Sequence, residues 1–159
     1  MQDNQEKTYK LKMMPVPDSC WYSNLRSALP AKIWDIIRKD AYARANGRCM
    51  ICGRPVNRLE AHEKWSYDEE NQIQKLDDIL AVCHECHSVI HIGRTQLFDR
   101  EEQAIAHFCR VNNCTYADYR RELGKANEYH KRLNQVSEWK LDVSFIKDIL
   151  DRKEKKKDS

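Results

Sequence analysis

Glycine and proline are scarce in this chain, with four of each among 159 residues. A turn-rich all-β architecture needs more of both, so the expectation is a helix-rich body. Long apolar runs are absent as well: nothing approaches the roughly 20 residues of a membrane span. Residues Met1 to Lys10 are polar and lack the apolar centre of a secretory signal. These absences point to a soluble, cytoplasmic protein with no membrane partner. There is no internal repeat. A strong excess of charge is missing too: the formal net charge is +3. Four thiolates with one Zn²⁺ would take it to about +1, a weak global case for nucleic-acid binding.

Cysteine is the exception to this plainness. There are seven, an odd number without a signal segment, which argues against a secreted disulfide framework. Four of them stand in two pairs, Cys49-Met-Ile-Cys52 and Cys83-His-Glu-Cys86, with thirty residues between the pairs. Each C-x-x-C forms a tight knuckle whose sulfurs converge, and two knuckles complete the tetrahedron of a structural zinc. Cys20, Cys109 and Cys114 are left as ordinary thiols, with Cys109 expected to be buried on a helix.

More ligands are present than one zinc needs. His87 and His91 are spaced i, i+4, so a helix would place both imidazoles on one face. The segment between the knuckles supplies His62 in Leu59-Glu-Ala-His62-Glu63. These three histidines are read as a second, open metal site. Neutral imidazoles suit Zn²⁺, Mn²⁺, Ni²⁺ or Fe, and an added carboxylate would suit Mg²⁺ as well. The bland alternative is a helix with surface histidines. His84, inside the second knuckle, is expected to face solvent, and His107 and His130 to serve packing or surface.

This layout resembles the HNH endonuclease family, whose core is a ββα-metal fold. Arg48-Cys-Met-Ile-Cys52 matches the opening of the family pattern, and Val82-Cys-His-Glu-Cys-His-Ser-Val-Ile-His91 matches its close, over about 45 of 159 residues. The resemblance implies metal-dependent hydrolysis of phosphodiester bonds in DNA, with RNA an alternative substrate. It implies that His62, His87 and His91 bind the catalytic divalent metal and that the strand before the second knuckle carries a base. Here the chain departs from the pattern. One alignment puts His62 at the ligand position and Glu63 where the general-base His stands. The other makes His62 the base and leaves Ala61 as ligand, which binds no metal. Glu63 could also be a ligand. The loop Asn position is Asp78, expected to orient a strand or a histidine through backbone bonds. The candidate catalytic set is therefore His62, Glu63, Asp78 and His87. The readings from other classes are a non-catalytic zinc module that binds nucleic acid and a zinc-stabilised protein-interaction domain.

Taken in order, residues 1–29 read as an arm packed on the core. Pro15 and Pro17 favour extension there, and Trp21 and Tyr22 are available to pack or to stack on bases. Pro30 opens an amphipathic helix carrying Ile33, Ile37 and Ala41, which Asn46-Gly47 stops. Val56 to His62 reads as a first short strand, with Trp65 to Tyr67 and Ile73 to Leu76 as hairpin material. Asp77 to Val82 leads into the second knuckle, and a helix from Cys86 or His87 ends near Gly93. Asp99 is the expected cap of a helix to Val111. Thr115-Tyr-Ala-Asp118 resembles a capping box for the next. Trp139 to Val143 reads as extended, and Ser144 to Lys153 as a last helix fraying into a basic tail. The expected architecture is α+β: a zinc-stapled ββα-metal core within residues 30–98, a helical region at 99–151 and a tail at 152–159. The tail holds five basic residues and one acid between Arg152 and Lys157. Lys153, Lys155, Lys156 and Lys157 are its candidate phosphate contacts, against the alternative of a solvated end.

Overall fold

A computed structural model describes residues 7–20 and 25–157. Trp21 and Tyr22 lie outside the described residues. The fold is α+β, as expected, with the helix-rich body that the composition points to, and its centre is a hairpin. Strand β1 (Glu60–Asp68) pairs antiparallel with β2 (Ile73–Val82), and β3 (Lys140–Asp142) joins the far edge of β2 in parallel. The strands are longer than the separate pieces expected from the sequence. Asp77 and Asp78 look like loop residues, yet the register runs from Lys64↔Asp78 to Trp65↔Leu76. Asp77 is the extra residue of a β-bulge, with its carboxylate accepting from Ser66 Oγ at 3.0 Å. Beyond it Ile79, Ala81 and Val82 are buried, so the supposed lead-in is a core strand.

Both knuckles lie at the open end of this hairpin, one before β1 and one after β2. Helices α1 (Leu25–Ala28) and α2 (Ala31–Ala45) precede the first. The α2 helix follows Pro30 and stops at Asn46, which is left-handed at φ 52°, so the Asn-Gly stop signal is met. The second knuckle opens α3 (His84–Ile90), capped by Cys83. The helix does not run on to Gly93. It breaks at His91, where φ is −101° and ψ 55°, and resumes as α4 (Ile92–Leu97).

Helix α5 (Glu101–Asn112) packs against α3 and α4, and α6 (Tyr116–Leu133) packs against α5. Asp99 is not the cap of α5: it adopts φ 58°, and Arg100 holds the cap position without a side-chain bond. Thr115 and Asp118 do form the reciprocal capping box that opens α6. Finally α7 (Ser144–Lys157) carries the basic residues as its last turns, so they belong to a helix and not to a free tail. Lys153 is ion-paired with Asp40 at 3.3 Å.

Two clusters of buried side chains result. One contains the cysteines with Val89, Ile90 and Phe108; the other lies between α2, β2 and α7 around Ile37, Ile79 and Ile149. The arm joins the first cluster. Tyr9 stacks on Phe108 with centroids 5.8 Å apart, and Leu11 is fully buried. Asn112 fastens it: its Oδ1 accepts from Leu11 N and its Nδ2 donates to Leu11 O, both at 3.0 Å. Met14 N–H then donates to Ile90 O. Asn112→Ala removes both Leu11 bonds from a half-buried place. It should cost about 1–3 kcal/mol in chemical denaturation, with early proteolytic cleavage within the arm.

Candidate metal centres

Four sulfurs and three imidazoles form two separate groups. Cys49, Cys52, Cys83 and Cys86 bring their sulfurs within 4.8 Å of one another, and His62, His87 and His91 do the same with one ring nitrogen each. The first group is made by local geometry. Gly53, at φ 77°, closes the first knuckle by donating its N–H to Cys49 O. In the second, Cys86 N–H points at Cys83 Sγ at 3.4 Å. The chemistry of this donor set fits zinc. Without a cation the sulfurs cannot all ionise. The Cys86 thiol donates to Cys49 and holds it down at about 4, while burial pushes Cys83 up to about 11. The same bond to Cys49, then burial, raises Cys86 strongly. Four thiolates this close repel one another, so full ionisation needs a dication to offset their charge.

His107 belongs to this group, although nothing local in the sequence assigned it there. It is 3% exposed, and its Nε2 lies 3.2 Å from Cys86 Sγ. Its other nitrogen, Nδ1, faces the Arg110 guanidinium at 3.2 Å. A guanidinium only donates, so Nδ1 must accept and Nε2 carries the hydrogen. His107 therefore donates to the sulfur from outside the four-cysteine set.

The histidine group stands on β1 and α3. His62 is 2% exposed, and its Nδ1 is buried without a hydrogen-bond partner, while Nε2 lies 3.3 Å from Met14 Sδ. The three rings meet edge to face, with centroids 4.9–5.5 Å apart. Burial, and then the neighbouring His91 and His87, push His62 down to about 3. Burial and His87 bring His91 to about 4. Neutral, closely spaced imidazoles with an orphaned ring nitrogen are what a metal needs and what protons disfavour.

Glu60 completes the arrangement and was missed from sequence. Its Oε1 accepts from His87 Nδ1 at 2.8 Å and its Oε2 from His84 Nδ1 at 3.0 Å. A carboxylate only accepts, so His87 Nδ1 carries the hydrogen and its Nε2 lone pair is turned to the cluster. Burial alone would raise the Glu60 carboxyl, but His87 and His84 bring it below its ordinary range. The signal was available: Glu60 and His62 are two apart on a strand and share a face. His84 is largely exposed, as expected.

Glu63 points elsewhere. Its Oε1 accepts from Leu25 N–H at 2.6 Å and its Oε2 from Trp65 Nε1 at 3.4 Å. Burial raises its carboxyl above the usual value, against those two donors. It still lines the cleft that holds the histidines, a space of about 1620 Å³. Asp78 is not part of that lining. It accepts from Ile79 N–H and faces Arg44 at 3.4 Å, which is a strand-positioning role. Lys153, Lys155, Lys156 and Lys157 also lie outside the lining. His130 pairs with Asp18 at the surface, and Cys109 is half-buried on α5.

Comparison with known proteins gives no likeness to lean on: no family model, curated protein or solved structure matches the chain. Among the described residues, no helix is long and apolar enough to cross a membrane.

Two outcomes follow for the cysteine group. Cys83→Ser should yield protein that retains no zinc after dialysis and loses its helical circular-dichroism signal on mild heating, since metal-binding energy here is folding energy. His107→Phe keeps the ring volume and removes the donor to Cys86. Zinc release to a colorimetric chelator should then accelerate about tenfold, and His107→Gln, which keeps an N–H, should recover part of the loss.

Proposed function

We propose that the protein is a metal-dependent endonuclease of HNH type that hydrolyses phosphodiester bonds in DNA. The observation that carries this reading is the convergence of His62, His87 and His91 beside a four-cysteine staple, on a ββα unit, in a cleft lined by Arg26, Arg38, Arg58 and Arg94. A divalent ion there would polarise the phosphodiester and take up charge on the leaving 3′ oxygen. The chain's own groups do the rest. Glu60 holds His87 in the tautomer that presents Nε2. The exposed Arg58 and Arg94 guanidiniums hold the phosphate. Glu63 takes the proton of the attacking water, its raised pKa making it a better base than an ordinary carboxylate. The ionised form is the active one, so the acid limb of the rate should lie above the usual carboxylate range.

A second reading, a zinc-stapled module that binds nucleic acid without cutting it, is favoured by one observation. Both oxygens of Glu63 already accept hydrogen bonds, from Leu25 and Trp65. As the base, Glu63 must release at least one of them.

Plasmid nicking across Mg²⁺, Mn²⁺, Ni²⁺ and Zn²⁺ tests the proposal. Wild-type protein should nick with at least one of these metals, and His91→Ala should abolish nicking while the cysteine-bound zinc stays in place. Glu60→Gln should cost about 10- to 100-fold through metal affinity. Glu63→Gln should lose most of the rate with metal retained. No nicking by wild-type protein with any of the four metals favours the binding module.

A further inference from the structure

The cleft has an apolar lip that the chemistry above does not use. Leu97 is 75% exposed and Phe98 64% exposed, two adjacent large side chains left in water. Both line the same cleft as the three histidines. They stand at the end of α4, which begins at the residue after His91. The lip is rigidly mounted. Ile92 and Thr95 are buried on the inner face of α4, and Thr95 Oγ1 donates to Ser88 O in α3. Arg94, one turn back, lies with its guanidinium 6.0 Å from the Phe98 ring centroid.

The charges around this lip decide what covers it. Among the described residues, Arg26, Arg58 and Arg94 line the cleft, are exposed and form no ion pair. The acidic groups of the lining are engaged: Asp35 with Arg38, Glu60 with His84 and His87, and Glu63 with Leu25 and Trp65. The exposed guanidiniums of Arg26 and Arg58, with Arg94 held beside the exposed Phe98 ring, match a polyanion that also offers π-faces. That is a nucleic-acid strand, with phosphates for the arginines and a base for Phe98.

We propose that Leu97 and Phe98 form a base-stacking lip, so that the preferred substrate is a DNA strand with an unstacked base: single-stranded DNA or a duplex interrupted by a bulge or flap. This rests on the histidine cleft being the place where the phosphodiester lies. Phe98 stands one short helix away from His91, so the stacked base lies a few nucleotides from the phosphate at the histidines. An intact duplex keeps its bases stacked on one another and must be opened to offer a ring face, which disfavours it.

The experiment uses the full chain and fluorescein-labelled oligonucleotides of one sequence, as single strand, blunt duplex and bulged duplex. Wild-type protein should bind the single strand and the bulge more tightly than the blunt duplex. Phe98→Ala should weaken single-strand binding by about 5- to 150-fold, the range of one lost base–aromatic stack, without changing the slope against salt. Phe98→Tyr keeps a ring and should restore it. Arg58→Ala should instead flatten the salt slope by about one and leave the single-strand preference in place. With 2-aminopurine scanned along the strand, one base within a few nucleotides of the cleavage position should change its fluorescence with wild-type protein and not with Phe98→Ala. Binding of Phe98→Ala indistinguishable from wild type overturns the proposal. So does a Phe98→Ala effect confined to self-association in sedimentation, which would make the lip a protein contact. The two readings fail separately. Loss of binding on Phe98→Ala in a protein that never cuts supports the lip and sinks the nuclease. Cutting that is indifferent to Phe98 and to strand state does the reverse.

Discussion

Four sulfurs brought within 4.8 Å of one another are the constraint on which the rest of the fold depends. Two of them precede the β1–β2 hairpin and two follow it, so a cation held there would close the hairpin at its open end. The magnitudes say that this closure would dominate stability. A structural zinc contributes about 10–16 kcal/mol at neutral pH, whereas a domain of this size is stable by about 5–15 kcal/mol in total. Among the described residues, no other single interaction approaches that. The salt bridges are mostly exposed pairs, such as Arg54–Glu85 and Lys125–Glu122, whose attraction water and salt screen. Acidification should act at the same place, because protonated thiols no longer hold a metal.

The staple also positions the histidines, which is why two groups with different ligands belong to one design. Cys83 caps α3, so the helix that starts at the staple carries His87 one turn in and reaches its break at His91. The strand leaving the other knuckle carries His62 in on β1. The hairpin register pairs His62 with Leu80, three residues before Cys83. Strand and helix are thus fixed relative to each other by covalent proximity to the sulfurs, without any bond between the three imidazoles. Ring centroids 4.9–5.5 Å apart, in a place where burial keeps His62 and His91 neutral, follow from that geometry.

What was legible in the sequence was whatever depends on short spacing. The two C-x-x-C pairs, the i, i+4 histidines, the Asn46-Gly47 stop and the Thr115–Asp118 capping box all involve residues within one turn of each other, where chain geometry leaves few options. The misreadings share the opposite cause. His107 meets Cys86 across 21 residues, through the packing of α5 on α3, and no local pattern encodes that contact. Asp77 and Asp78 were read as loop because their charges mask a strand that a bulge allows to continue. Asp99 has the chemistry of a cap, but a backbone at φ 58° cannot serve as one. Glu60 is the instructive case: alternation along a strand pairs it with His62, yet attention to residues next to His62 passes over the one two positions away.

The same alternation bears on Glu63. Neighbours on a strand face opposite sides, so His62 turns into the imidazole group while Glu63 leaves β1 toward α1, still on the lining of the same cleft. His62 takes that side, and Glu63 goes to the first amide of α1. The carboxylate sits over a helix of four residues, Leu25–Ala28, too short to be stable by itself. Its hold on Leu25 N–H satisfies an end amide that α1 cannot satisfy internally. Glu63 is thereby tied to a segment outside the four-cysteine core, and the ionised carboxylate is the stronger acceptor for that amide. Whatever draws a proton onto Glu63 weakens the anchorage of α1, and whatever displaces α1 frees a carboxylate beside the histidines. The bond from Leu25 N–H to Glu63 is how that segment is fastened to β1.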